Sequence, residues 1–392
     1  MNEKENLHIE TQLIRNQLER TSHQEHSVPL YLTSSYVFDS AEHMRAAFQE
    51  EVEHSIYSRY SNPNSSEFIA KVAQMEGAED GFAFASGMAA VFNTLANFLN
   101  AGDHLISARS IFGSTHSLFQ NYFPKWNIEH SYFDVKNLEQ IESLIKENTK
   151  LIYAETPTNP GVDLIDLELL GQIAKKHNIL LIIDNCFASP YLQQPIKYGA
   201  DLVIHSATKL MDGQGRVLGG ITVGSSELIR ELYLFSRNTG PAISPFNAWI
   251  LSKSLETLVI RVEKQCENAH KLAERLSAHQ AIEFVKYPFL KSHPQYDIAK
   301  KQMKLGGTII AFELKGGLSS GKRFIDAIQL CSRSANLGDT RTIVTHPAST
   351  THAKLSEEQQ KAVGITPGLI RISVGLEHID DIAKDLTRAL DA

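Results

Sequence analysis

The chain has 392 residues, of which 42% are hydrophobic and 21% charged, with a formal net charge of −7. This balance is ordinary for a globular protein and argues against a general affinity for nucleic acid or anionic membrane surfaces. The length exceeds one ordinary core, so two domains are expected.

No apolar run is long enough to span a bilayer, and the polar, acidic segment Met1–Asn6 has no apolar signal core. Three cysteines, Cys186, Cys266 and Cys331, cannot all pair and form no Cys-x-x-Cys. Reduced thiols in a cytoplasmic protein fit this pattern. Sixteen histidines include no His-Glu-x-x-His and no paired Cys/His spacing, so no metal site is expected.

Residues 1 to about 60 read as an extended arm. Helical spacing appears briefly at Ile9, Leu13, Ile14 and Leu18, followed by the apolar pieces Val28–Leu32 and Tyr36–Phe38. Such an aromatic-rich, weakly structured segment packs on something, and another subunit is one option. Tyr57-Ser58-Arg59-Tyr60-Ser61-Asn62-Pro63 follows. The planar guanidinium of Arg59 suits bidentate phosphate binding, although read alone it is more often a plain surface-loop arginine.

From about residue 64 the pattern becomes regular. Glu67–Met75 predicts a helix with Phe68, Val72 and Met75 on one side. Gly81–Ala85 reads as a strand running through Ser86-Gly87-Met88 into a helix that ends near Leu99. That arrangement aims backbone N–H groups at an anion. His104–Ser107 is the next strand, and Phe112-Gly113-Ser114-Thr115 opens a helix capped by Ser114 or Thr115. Leu138–Ile145 reads as an amphipathic helix, Lys150–Ala154 as a strand ending in Glu155-Thr156-Pro157-Thr158-Asn159-Pro160, and Leu167–His177 as a helix. Ile179–Ile183 is a continuous apolar strand ending at Asp184-Asn185; Ala200–His205 and Gly220–Gly224 are further strands. Strands alternating with helices from about 64 to 245 predict an α/β unit with a mostly parallel sheet covered on both faces. Ligands of such sheets sit beyond the carboxyl ends of the strands.

After Ser244–Asn247, Ala248 to about Ala278 reads as one long helix, with Leu251, Leu255, Leu258, Val262 and Cys266 near helical spacing. Gly307–Leu314 then reads as a strand, Gly321–Leu330 as a helix and Cys331–Leu337 as a strand or turn. Leu369–Gly375 is a strand and Ile379–Leu390 a closing helix, completing a smaller α+β domain. The expected division is an arm over 1–63, a large domain over 64–248 and a C-terminal domain over 249–392. Arg371 alternates with Ile370 and Ile372 and so faces inward, where it needs an internal or a substrate carboxylate.

Three strand ends carry polar groups: Asn159, Asp184 and Ser206–Lys209. Lys209 follows the buried run Leu202-Val203-Ile204, which makes it a candidate Schiff-base lysine, because desolvation lowers an ammonium pKa and frees the nucleophile. Ser206 and Thr208 are two apart and face the same way in an extended chain, as a phosphate site requires. Taken singly, Lys209 is a strand-end lysine in water and Asp184 a cap or salt-bridge partner; convergence of the three ends is what a cofactor pocket looks like.

In this order and at these distances, the pieces resemble the cystathionine-synthase and homoserine-sulfhydrylase family of pyridoxal 5′-phosphate (PLP) enzymes. The resemblance covers nearly the whole chain, from Thr33-Ser34-Ser35-Tyr36 to Arg371–Glu377. It is carried by Tyr57-Ser58-Arg59 with Asn62-Pro63, Ser86-Gly87-Met88-Ala89, Glu155–Pro160, Asp184-Asn185 and Ser206-Ala207-Thr208-Lys209. Ser110–Thr115, Asp184–Phe187, Gly240–Trp249 and Asn336–Asp339 are most similar to its O-succinylhomoserine sulfhydrylase branch.

The resemblance implies the PLP-dependent transferase fold of type I, similar to aspartate aminotransferase. It implies that Lys209 holds the cofactor and moves protons, and that Asp184 pairs with the pyridinium nitrogen. Ser206, Thr208, Gly87 and Met88 bind the phosphate, with Tyr57 and Arg59 reaching it from a neighbouring subunit. Asn159 contacts the ring hydroxyl, Phe112 stacks on the ring, and Arg371 binds the substrate α-carboxylate. Phe112 stands where many members have tyrosine and cannot donate a proton, so proton movement falls on Lys209 or Tyr57. Asn336 replaces a common serine and can still donate to a carboxylate, helping Arg371. Cys186, beside the pocket, reads as a small buried residue.

The implied activity is conversion of O-succinyl-L-homoserine and sulfide to L-homocysteine and succinate in methionine biosynthesis. Cystathionine γ-synthesis with cysteine, use of the O-acetyl ester and a γ-lyase reaction share nearly every pocket residue. A non-catalytic fold relative is the reading from another class. The implied assembly is a cytoplasmic homotetramer, a dimer of dimers with shared active sites, without nucleic-acid or membrane partners.

Overall fold

The computed structural model describes residues 7–354 and 356–392; the polar segment Met1–Asn6 lies outside the described residues. Seven strands form the first sheet: β1 (Asp80–Phe84), β2 (His104–Ala108), β3 (Glu129–Phe133), β4 (Thr149–Glu155), β5 (Leu180–Asp184), β6 (Leu202–His205) and β7 (Gly220–Gly224). Their order is β1-β7-β6-β5-β4-β2-β3. The β6·β5, β5·β4, β4·β2 and β2·β3 pairs are parallel, and β7 is antiparallel to both neighbours. All strands but β7 therefore run the same way, and their carboxyl ends meet along one edge. Every residue of β2, β6 and β7 is buried, as apolar strands covered on both faces must be.

A second sheet contains β8 (Ile282–Lys286), β9 (Ile309–Leu314), β10 (Ser332–Arg333), β11 (Ile343–Thr345) and β12 (Leu369–Ser373), in the order β10-β11-β12-β9-β8. Only its β10·β11 pair is parallel. It has its own apolar cluster, including Phe312, Phe324, Ile370, Ile372 and Leu386.

The predicted helix over Ala248–Ala278 is two helices, Pro245–Leu255 and Leu258–Ser277. Thr257 leaves the helical backbone at φ −114° and ψ 6°. The Ser254 carbonyl accepts from Thr257 N at 3.2 Å, Thr257 Oγ1 at 3.2 Å and Arg261 Nη2 at 3.0 Å. Leu255 and Leu258 keep a helical spacing across this break, so the apolar pattern conceals it. Ser114 and Thr115 are not caps. The helix Gly113–Asn121 begins one residue after Phe112, which offers no side-chain cap, and the Thr115 hydroxyl turns instead to Met88 Sδ at 3.7 Å.

The segments predicted over Leu138–Ile145 and Gly321–Leu330 form helices at Gln140–Leu144 and Gly317–Ala327. β3, β8, β11 and several helices, among them Ala41–Phe48, Ser226–Thr239, Tyr296–Gln302 and Glu357–Ala362, have no counterpart among the predicted elements. β3 is an edge strand of mostly half-exposed polar residues and lacks the apolar run that marks its neighbours. The arm crosses itself at a Ser35–Tyr57 bridge and leaves Leu32, Val37, Met44 and Phe48 exposed.

Candidate active site

The carboxyl ends of the parallel strands deliver the polar residues. β4 ends at Glu155 and β5 at Asp184, directly opposite one another in register. β6 leads into Ser206–Lys209, and β1 into the helix Gly87–Phe98. Arg371 comes from β12, and Asn336 from the segment between β10 and β11.

Asp184 is buried, and its two oxygens are held apart by different donors. Oδ1 accepts from Cys186 N at 3.0 Å and Oδ2 from Tyr153 Oη at 3.1 Å. Burial pushes its pKa up against those two bonds and the nearby His205. Glu155 is pushed well above the usual carboxylate range, first by burial and then by Asp184. Its Oε2 accepts from Phe112 N at 2.7 Å and its Oε1 from Asn159 N at 3.1 Å.

Lys209 Nζ donates to Asn336 Oδ1 at 2.5 Å. Burial, then Arg371, lowers its pKa, against an opposing effect of Cys186. Among the described residues no carboxylate forms an ion pair with Lys209. It is therefore a half-buried amine without a counter-ion, a condition that favours it as a base or nucleophile.

Arg371 is buried, as its alternation with isoleucines predicted. Burial brings its pKa down to about 10, opposed by Glu155. Nη1 donates to Asn159 Oδ1 at 3.0 Å; Nη2 donates to the carbonyls of Ala335 at 3.2 Å and Asn336 at 3.1 Å. Nε has no partner, and among the described residues no carboxylate lies in salt-bridge range. A guanidinium satisfied only by neutral oxygens, with one buried N–H left over, is a site for an incoming carboxylate. The Asn336 side chain points to Lys209, and only its backbone meets Arg371.

A cradle for an anion lies where β1 gives way to its helix. Ser86 Oγ caps that helix by accepting from Ala89 N at 3.1 Å. The backbone N–H groups of Gly87 and Met88 and the hydroxyl of Ser206 make no protein hydrogen bond among the described residues. A Cβ on Gly87 would stand 2.6 Å from Ser206 Cβ, so glycine is what permits this approach. Thr208 Oγ1 is engaged with Gly219, donating to its carbonyl at 3.2 Å and accepting from its N–H at 3.1 Å.

Tyr57 and Arg59 are not brought to this cluster within the chain. Arg59 lies over the rings of Tyr57 and Tyr60, at 5.2 and 5.0 Å, and donates to the Arg237 carbonyl. Phe112 is 43% exposed at the rim. Tyr153 and Glu155 were missed as site residues, yet they are two apart on β4 and so share the face on which Asp184 lies. That period was the available signal.

The profile of the Cys/Met metabolism PLP-dependent enzymes matches residues 10–391. The chain belongs to this family. It is 45% identical to an O-succinylhomoserine sulfhydrylase of Pseudomonas aeruginosa over 98% of this chain and 95% of that protein. It is 42% identical to an L-methionine gamma-lyase of Fusobacterium nucleatum over 93% of each. Among solved structures, a Campylobacter jejuni protein carrying a pyridoxyl-lysine-phosphate has a TM-score of 0.94 and 35% identity, covering 98% of this chain and 100% of that one. Cystathionine gamma synthase of Xanthomonas oryzae, in complex with aminoacrylate and cysteine, has a TM-score of 0.93 and 32% identity, covering 98% of each chain.

The fold is thus that of the PLP-dependent family, and PLP is the cofactor. The site's own residues fit it. Among the described residues they present a half-buried amine without a counter-ion at Lys209, a buried carboxyl at Asp184, free donors at Gly87, Met88 and Ser206, and a free amide donor at Asn159, whose oxygen Arg371 occupies.

Proposed function

We propose that this enzyme performs γ-replacement, converting O-succinyl-L-homoserine and hydrosulfide to L-homocysteine and succinate. The observation that carries the proposal is the pair of cations, half-buried Lys209 and buried Arg371, that lack carboxylate partners among the described residues and share Asn336. One is suited to move protons at Cα and Cβ, the other to hold the α-carboxylate beside it. Similarity to the Pseudomonas aeruginosa sulfhydrylase supports the choice of substrates.

In this proposal Lys209 holds the cofactor, whose ring supplies an electron sink for the bond broken at Cα. Asp184 holds a proton on the ring nitrogen. Ser206 and the N–H groups of Gly87 and Met88 bind the phosphate, with Thr208 as a lateral hydroxyl. Asn159 donates to the ring hydroxyl and Phe112 covers a ring face. Arg371 orients the amino acid. Once the substrate's amine has replaced it on the cofactor, the freed Lys209 Nζ would take the proton from Cα; loss of a proton at Cβ would release succinate from Cγ; hydrosulfide would add at Cγ, and the protons would return to Cβ and Cα. Phe112 has no hydroxyl to share this work, which leaves Lys209, with Tyr57 of a neighbouring subunit as the second candidate.

Tyr57 and Arg59 complete a neighbour's phosphate site through an arm over residues 1–63, in a cytoplasmic homotetramer of two dimers. The remaining chain divides into a PLP-binding domain over 64–248 and a C-terminal domain over 249–392. The exposed Leu32, Val37 and Phe48 of the arm support such an interface.

The test is a competition assay offering sulfide and cysteine together with O-succinyl- or O-acetyl-homoserine. Homocysteine from the succinyl ester supports the proposal. Cystathionine as the main product, preference for the acetyl ester, or 2-oxobutanoate without use of either thiol assigns the chain to one of the neighbouring activities.

A further inference from the structure

Glu155 ends β4 with its side chain buried, and the steps above do not use it. Its two oxygens accept backbone N–H groups from two different segments: Oε2 from Phe112 and Oε1 from Asn159, at 2.7 and 3.1 Å. Phe112 lies in the loop after β2 and precedes the helix Gly113–Asn121. Asn159 follows β4 and passes the connection on, its Oδ1 accepting from Arg371 Nη1 at 3.0 Å. One buried carboxyl therefore joins Phe112, Asn159 and, through Asn159, Arg371. Among the described residues no lysine, arginine or histidine forms an ion pair with it, so a salt bridge does not account for a carboxyl here. Two inward-pointing N–H groups do. A carboxyl, ionised or not, keeps a lone pair at both oxygens; a glutamine of the same shape presents N–H to one of the two donors.

We propose that Glu155 is a positioning residue: its carboxyl clamps the backbone at Phe112 and Asn159 and so fixes the relative placement of Phe112, Asn159 and Arg371. The proposal rests on the roles of those three residues given above. Glu155 touches none of the reacting atoms and acts only through its neighbours. Its raised pKa, caused by burial and Asp184, agrees with a group kept for geometry at the expense of easy ionisation.

The experiment compares the wild-type holoenzyme with Glu155→Gln and Glu155→Ala. Three quantities are read: the visible circular dichroism of bound PLP, its dissociation constant from fluorescence titration of the apoenzyme, and kcat and KM separately. Glu155→Gln breaks one clamp and keeps the volume. The expected result is a loss of visible dichroism, weaker PLP retention, a raised KM and a fall of about 100-fold in kcat/KM, with the apoenzyme melting temperature close to wild type. Glu155→Ala deepens each effect; if it does not fold, Glu155→Gln alone decides. Wild-type dichroism, PLP affinity and KM in the folded glutamine variant would overturn the proposal, as would losses that merely follow the folded fraction. Borohydride reduction of wild-type enzyme and peptide mapping test Lys209 separately. A label elsewhere defeats the proposed function without touching the clamp measurements.

Discussion

Lys209 and Asn336 meet at 2.5 Å through the amine and the amide oxygen. This contact spans the two sheets, because Lys209 follows β6 and Asn336 lies between β10 and β11. The Asn336 backbone carbonyl separately receives Arg371. One residue thus serves the Lys209 amine with its side chain and the Arg371 guanidinium with its main chain.

Asn336→Ala separates those duties. The alanine keeps the carbonyl that receives Arg371 and removes the acceptor that orients Nζ. The expected outcome is a fall of about 10-fold in kcat with KM within about twofold of wild type, measured with the preferred ester and thiol. An unchanged kcat would mean that Lys209 finds its orientation without the amide.

The Glu155–Asp184 pair makes the apoenzyme's stability depend on pH. Burial raises both carboxyls, and Asp184 raises Glu155 further. In the unfolded chain such groups titrate near about pH 4. The folded state keeps its protons to higher pH, so the pair's contribution is complete below about pH 4 and is lost as pH rises through the raised values. Each extra proton bound by the folded state lowers stability by up to about 1.4 kcal/mol per pH unit within that window. Glu155→Gln removes one titrating group. Urea midpoints of the apoenzyme at several pH values should therefore decline less steeply in the variant. Parallel wild-type and variant curves would place the retained proton on another group.

Much of this site was legible in the sequence because its chemistry sits where strand patterns end. Asp184 closes one apolar strand and Lys209 follows another, and Arg371 betrays its burial by alternating with isoleucines. The helix break at Thr257 was hidden because Leu255 and Leu258 hold helical phase across it. β3 was hidden because an edge strand has no need of an apolar run. Glu155 was visible in the motif but had no assignable duty, since its partners are backbone N–H groups about 40 and 4 residues away. Main-chain contacts over such separations leave no mark on residue type beyond the need for two acceptors.

Lys71 provides a stability test remote from the chemistry. Its side chain is fully buried in the helix Pro63–Glu76, donating to Glu67 Oε1 at 2.9 Å and Ser252 Oγ at 3.0 Å. Glu67 Oε2 also accepts from Leu18 N at 3.2 Å, tying the arm to this pair. Lys71→Met fills much the same volume but leaves a buried carboxylate without its cation. The expected loss is about 3 kcal/mol, read from urea denaturation. Glu67→Leu added to Lys71→Met should recover part of it, because the uncompensated charge is gone. If the single variant is as stable as wild type, the donors from Ser252 and Leu18 satisfy Glu67 without the cation.

Arg59 tests whether sites are shared between subunits. Within its own chain the guanidinium lies over Tyr57 and Tyr60 and donates to the Arg237 carbonyl, away from Ser206 and Lys209. Arg59→Ala should weaken PLP retention, and Lys209→Ala should abolish turnover. Co-expressed with separate tags, the two variants form hybrid dimers. If Arg59 acts across the interface, each hybrid contains one site with both residues intact and one with neither. Random pairing makes about half of the dimers hybrid, so the mixture should recover about a quarter of wild-type activity. If instead Arg59 served its own chain's site, no hybrid site would hold both residues. Activity in the doubly tagged fraction would then stay at the level of the separate variants.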